Sequence, residues 1–120
     1  MTEMTRDDRG MTAEDLVSVV DVLVELLPEF AGARIVRPWA LSAAAAACEG
    51  MIAGVDVHPR PEDRSRAMAE TIRRLKPLDR ANDAFAVTAV LVHGRLAGIH
   101  MSVDRASAIA GVRDPGHPFH

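Results

Sequence analysis

Lys76, Asp79, Arg80, Asn82 and Asp83 fall within one short polar stretch that runs through Pro77 directly into an apolar segment of helical length. Arg73 and Arg74 stand just before it. Placed at the start of a helix, such a stretch can hold an anion, because the first-turn N–H groups lack partners and the positive end of the macrodipole faces outward there. Lys76, Arg80 and Arg73 would neutralise a phosphate, for which the arginine fork is well shaped, while Asn82 would bond a phosphate oxygen or order the turn. Lys76, Arg80, Asn82, Asp83 and Arg73 are therefore the expected anion- or nucleotide-binding residues. A second reading stands beside this one: a solvated turn whose cations balance Asp79 and Asp83, with Arg73 and Arg74 answering the negative end of the helix before it.

The same stretch resembles the Fic/Doc family, toxins and protein modifiers that act on nucleotides and carry a loop written HPFxDGNxR at the start of a central helix. Pro77 and Asn82 match that loop, and Leu78 is a conservative stand-in for its Phe. Downstream, Ala89-Val90-Leu91-Val92, then Arg95-Leu96 and Gly98, look like the helix end of the short Doc branch. Lys76 occupies the His position, Arg80 the acidic one, Ala81 the Gly and Ala84 the Arg. In pattern the resemblance covers residues 12–112.

What the resemblance implies is an all-α domain that moves AMP, or in the Doc branch a γ-phosphate, onto a protein hydroxyl. In the family the His takes the hydroxyl proton and the acidic residue holds magnesium on the phosphates. Carried over, Lys76 takes the catalytic position, and Asp79, one place early, takes the metal; ATP or another nucleotide and Mg2+ are the implied cofactors. A lysine amine is protonated at neutral pH and accepts no proton, so the implied transfer is impaired or altered. The expected function is a divergent Doc-like toxin, with a cognate antitoxin as partner and a translation-associated protein as target. The alternative is a catalytically inactive module that binds a nucleotide, an antitoxin or another protein, and a third reading is a helical scaffold that forms a homo-oligomer through its first helix.

Composition sets the frame for these elements. The chain has 120 residues, 48% of them hydrophobic and 3% aromatic, so the core must be built from Ala, Val, Leu, Ile and Met, as in closely packed helices. A net charge of −3 gives no general field that draws the chain to DNA or to a membrane surface. The single cysteine, Cys48, makes an internal disulfide impossible and fits a reducing cytosol. With no signal-like start and no membrane-spanning apolar run, the expectation is a cytoplasmic, soluble protein.

The predicted architecture is a single all-α domain of about five helices around a central buried one. Residues 1–11 are expected to be disordered, residues 12–112 to form the domain, and residues 113–120 to be a flexible tail. Thr12 caps a first helix with Asp15 closing the capping box, and Leu16 to Leu27 provides an apolar core face until Pro28. Pro38 opens a second helix, Trp39 to Gly50, with Trp39 as a core anchor and Cys48 a small buried residue. Around Val55 and Val57 a short extended piece is possible, and His58 reads as an exposed loop residue. A third helix runs from Glu62 to Leu75 with Ser65, Met68, Ile72 and Leu75 on its apolar stripe. Asp79 caps the central helix, which reaches Ala97 with Gly98 beyond it and contains His93 as a satisfied interior histidine. Ser102 caps the last helix, Val103 to Gly111.

Overall fold

The computed structural model describes residues 10–49, 51–52, 55–56 and 60–112. Among the described residues, five helices make the fold: α1 (Ala13–Leu26), α2 (Pro38–Glu49), α3 (Pro61–Leu75), α4 (Asn82–Leu96) and α5 (Val103–Ala110). A single 3-10 turn, Pro28–Phe30, follows α1. Between α2 and α3, β1 (Met51–Ile52) pairs antiparallel with β2 (Val55–Asp56), placing Met51 opposite Asp56 and Ile52 opposite Val55. Val57, His58 and the terminal segments 1–9 and 113–120 lie outside the described residues, together with what was expected of them.

Local chemistry sets the helix ends. Thr12 Oγ1 accepts from the Asp15 N–H at 3.0 Å and Asp15 Oδ2 accepts from the Thr12 N–H at 3.0 Å, a complete capping box. Prolines occupy the first positions of α2 and α3, where a missing N–H costs no helical bond. The Ser102 hydroxyl accepts from the Arg105 N–H at 3.0 Å and starts α5, while Gly98 and Gly111 follow α4 and α5 at φ of 82° and 79°. Met11 departs from the expected disordered start: it is 2% exposed and belongs to the core.

The centre is shared by two helices. α4 buries Phe85, Ala86, Val87, Ala89 and Val90 completely, and α3 does the same with Met68, Ala69 and Ile72. α3 packs against α2, α4 and α5, whereas α4 packs on α3 and α5 and more lightly on α1. Small residues permit the close approach of α2, whose inward face is Ala40, Leu41, Ala44 and Cys48. Trp39 lies one position off that face and is 59% exposed, which corrects its expected place as a core anchor. An alanine-built helix contact leaves no room for an indole.

Among the described residues, no helix is long and apolar enough to cross a membrane.

Candidate functional site

The loop between α3 and α4 is tied to the connector between α1 and α2. Ile35 and Leu78 form an isolated antiparallel bridge, and the carbonyl of Pro77 accepts from the N–H groups of Val36 at 2.8 Å and Arg37 at 3.1 Å. On the other side of the bridge the Asp79 N–H donates to the Arg34 carbonyl at 3.0 Å. Leu78 is 1% exposed and supplies the apolar anchor. The chain thus gains a short two-stranded tie across a loop that its sequence presents as polar and open.

Each expected site residue now has a place. Asn82 Oδ1 accepts from the Leu78 N–H and its Nδ2 donates to the Leu78 carbonyl, both at 2.9 Å, so this amide orders the turn. Asp79 Oδ1 accepts from the Arg34 N–H at 3.0 Å. Asp79 therefore does not cap α4, contrary to expectation: the N-cap is Ala81, left-handed at φ 64°, with no side-chain bond. The tie claims the Asp79 carboxylate before the helix can.

The cations are equally dispersed. Arg73 Nε reaches Asp83 Oδ1 at 3.1 Å, and its Nη1 donates to the carbonyls of Gly111 at 2.9 Å and Ala110 at 3.3 Å. Arg73 thereby serves the end of α5 instead of the end of its own helix. Arg80 Nη1 donates to the Glu29 carbonyl at 3.1 Å. Lys76 closes α3 as a left-handed C-cap at φ 53°, and its carbonyl accepts from Arg37 Nη1 at 2.9 Å. Its ammonium has no hydrogen bond or ion pair among the described residues.

Asp79 and Asp83 are engaged by different partners on different segments, and no group of three metal-capable side chains occurs among the described residues. The polar groups expected at a phosphate are bonded to the chain itself, leaving Lys76 as the exception.

A second feature lies on α1, which the sequence offered only as the surface of a homo-oligomer. α1 buries Leu16, Val20 and Leu23, yet leaves Val17 36%, Val22 52% and Leu26 70% exposed. Where α1 rests lightly on α4, an apolar groove of about 340 Å³ opens, lined by Val19, Val22 and Leu23 on one wall and Thr88, Val92 and Leu96 on the other. The exposed side of α1 carries Glu14, Asp21 and Glu25, and the helix contains no Lys or Arg. Val19, Val22 and Leu26 recur at i, i+3 and i+7, the signal from which a second apolar stripe could have been read.

Deeper in the fold, His93 is 2% exposed and shares a hydrogen bond of 2.6 Å between its Nδ1 and Ser65 Oγ. Burial, and then the nearby Arg64 charge, push the imidazole down to about 4. The ring is an interior histidine satisfied by a serine, as the sequence suggested. Burial likewise raises the Cys48 thiol, which disfavours the reactive thiolate.

No protein-family model, curated protein or solved structure matches this chain.

Proposed function

We propose that this chain is a non-catalytic binding module, the inactive alternative within the Fic/Doc-like reading, and that it holds a protein segment in the groove between α1 and α4. One observation carries the proposal: the groove is apolar, flanked by an acidic helix and lined by residues that the fold leaves partly exposed. Exposed apolar surface of this kind, rimmed by polar groups, is the usual mark of an interaction site. An amphipathic helix fits such a groove, its apolar stripe against Val22, Val92 and Leu96 and basic residues facing Glu14, Asp21 and Glu25. A second copy of α1 would bring like charges together, so the favoured partner is another protein. A cognate antitoxin is one partner of this class, and the gene neighbourhood would show it as a small DNA-binding protein.

The self-satisfied loop supports the non-catalytic side of the proposal. Transfer chemistry needs a base, a metal-holding carboxylate and free phosphate donors at one point. Here Asn82, Asp79, Arg73 and Arg80 have partners within the chain.

The test uses the purified protein, labelled ATP and a cell lysate. The expected result is no labelled protein band, together with a discrete protein cross-linked through a photoreactive residue at position 22 and lost in Leu96→Glu, a change on the opposite wall of the groove. A labelled band that disappears in Lys76→Ala and Arg80→Ala would overturn the reading and restore the toxin.

A further inference from the structure

We propose that the recess between α3, α4, α5 and the α4–α5 loop binds a short-chain aliphatic monocarboxylate, its carboxylate on Arg105 and its hydrocarbon tail against Ile99, Met101 and Ile109. The site shares no lining residue with the groove between α1 and α4 and goes beyond the role proposed for that groove. Its volume is about 150 Å³. A cavity of roughly that size holds benzene, so the tail it admits has about five or six carbons. The loop that closes it is held in place: the Ile99 N–H donates to the Gly94 carbonyl at 2.8 Å, and Gly98 makes the left-handed turn before it. Gly94 leaves the space that Met101 uses, because a Cβ there would lie 2.8 Å from the Met101 Cε. Met101 is thus a wall with three rotatable bonds, able to settle on tails of different shape.

Charge and polarity select the ligand class. Arg105 Nη2 donates to Glu62 Oε1 at 2.7 Å, and Glu62 Oε2 accepts from Arg66 Nη2 at 3.0 Å. Arg66 in turn reaches Asp63 at 3.3 Å and Asp63 reaches Arg60 at 3.1 Å, so three cations alternate with two carboxylates and one positive charge is in excess. Arg105 ends this chain at the recess, and its remaining N–H donors have no acceptor among the described residues. Asp104, its acidic neighbour in sequence, lines no part of the recess. A carboxylate matches a guanidinium with donors to spare, and a single excess charge suits a monoanion. A phosphate monoester would bring a second negative charge against Glu62. On the buried side, the Ser65 hydroxyl is taken up by His93 Nδ1 at 2.6 Å, so a tail lying there strands no polar group. The rest of the lining is apolar, which favours an aliphatic tail over a sugar or a base.

Met101 lines the recess and supplies the reporter. The full chain, labelled with carbon-13 at its methionine methyls, is titrated at constant ionic strength with sodium hexanoate, hexanol and hexylammonium chloride, the Met101 resonance being identified by its loss in Met101→Leu. The expected result is a saturable shift of the Met101 methyl by hexanoate, with hexanol weaker by about tenfold or more and hexylammonium without effect. Arg105→Gln should weaken hexanoate binding by about tenfold or more while leaving the urea midpoint nearly unchanged, because the exposed ion pair it removes contributes little. Ile99 is 39% exposed, so Ile99→Asp should leave the chain folded and still abolish hexanoate binding by setting a carboxylate in the apolar wall. The proposal is overturned by a Met101 methyl that none of the three probes shifts, by hexanol or hexylammonium binding as tightly as hexanoate, or by undiminished hexanoate binding in a folded Arg105→Gln protein.

Discussion

The side-chain amide of Asn82 closes on the backbone of Leu78 from both ends, accepting from its N–H and donating to its carbonyl at 2.9 Å each. An amide used this way replaces a strand partner. Leu78 is bridged to Ile35 on one side and held by Asn82 on the other, which fixes the entry of the chain into α4. The Asn82 amide thus holds the turn in shape.

Asn82→Ala is expected to destabilise the fold by about 2 kcal/mol, since it strands a buried donor and acceptor of Leu78 together. Asn82→Asp keeps the acceptor and loses the donor, so it should fall between wild type and alanine. Urea denaturation, read as the midpoint at constant slope, measures both.

Lys76 and Ala81 adopt left-handed backbone at φ 53° and 64°, where a side chain is disfavoured. Lys76→Gly and Ala81→Gly should each stabilise the chain by about 0.5–1 kcal/mol, provided that relief of strain exceeds the added freedom of the unfolded chain. Strained residues that resist such improvement tend to mark function. Thermal unfolding of the two variants decides it, and a Lys76→Gly protein that melts lower than wild type would return attention to Lys76.

His93 ties stability to pH. Its folded value of about 4 lies below the ordinary value for a histidine, so between the two the unfolded chain binds a proton that the folded chain refuses. Stability is therefore fully present above about pH 6.5 and is lost as pH falls toward the folded value, by an amount on the order of 3 kcal/mol. His93→Gln should flatten that part of the profile. Denaturation midpoints at pH 7 and pH 5, in wild type and variant, give the comparison.

The helices were legible because short-range signals set them: the Thr12–Asp15 box, Pro38, Ser102 and the glycines after α4 and α5 all sit where the structure uses them. The tie between Ile35 and Leu78 was not legible, because it joins residues 43 positions apart that carry no periodicity. That contact redirects Asp79 from helix cap to strand-like partner and draws Arg37 onto Lys76, so the loop's hydrogen bonding was no more legible than the tie itself. Trp39 failed for a different reason. Size alone placed it inside, while the inward face of α2 was decided by how closely Ala40 and Ala44 let α3 approach.

Groove and core make opposite demands on α1, and substitutions separate them. Leu16 is fully buried, so Leu16→Ala should cost about 2–5 kcal/mol and reduce partner binding through loss of fold. Val22 and Leu26 are 52% and 70% exposed, so Val22→Glu and Leu26→Glu should change stability by no more than about 0.5 kcal/mol. A charge placed in the apolar groove at Val22 nevertheless removes the surface on which a helix would dock, and binding should fall to background in a folded protein. Glu25→Lys acts at the rim: it should slow association and weaken its salt dependence while leaving dissociation nearly unchanged. Surface-bound binding kinetics of the cross-linked partner, measured beside urea denaturation of each variant, resolve the two demands. Full binding by a folded Val22→Glu, Leu26→Glu double variant would show that the partner docks elsewhere on the molecule.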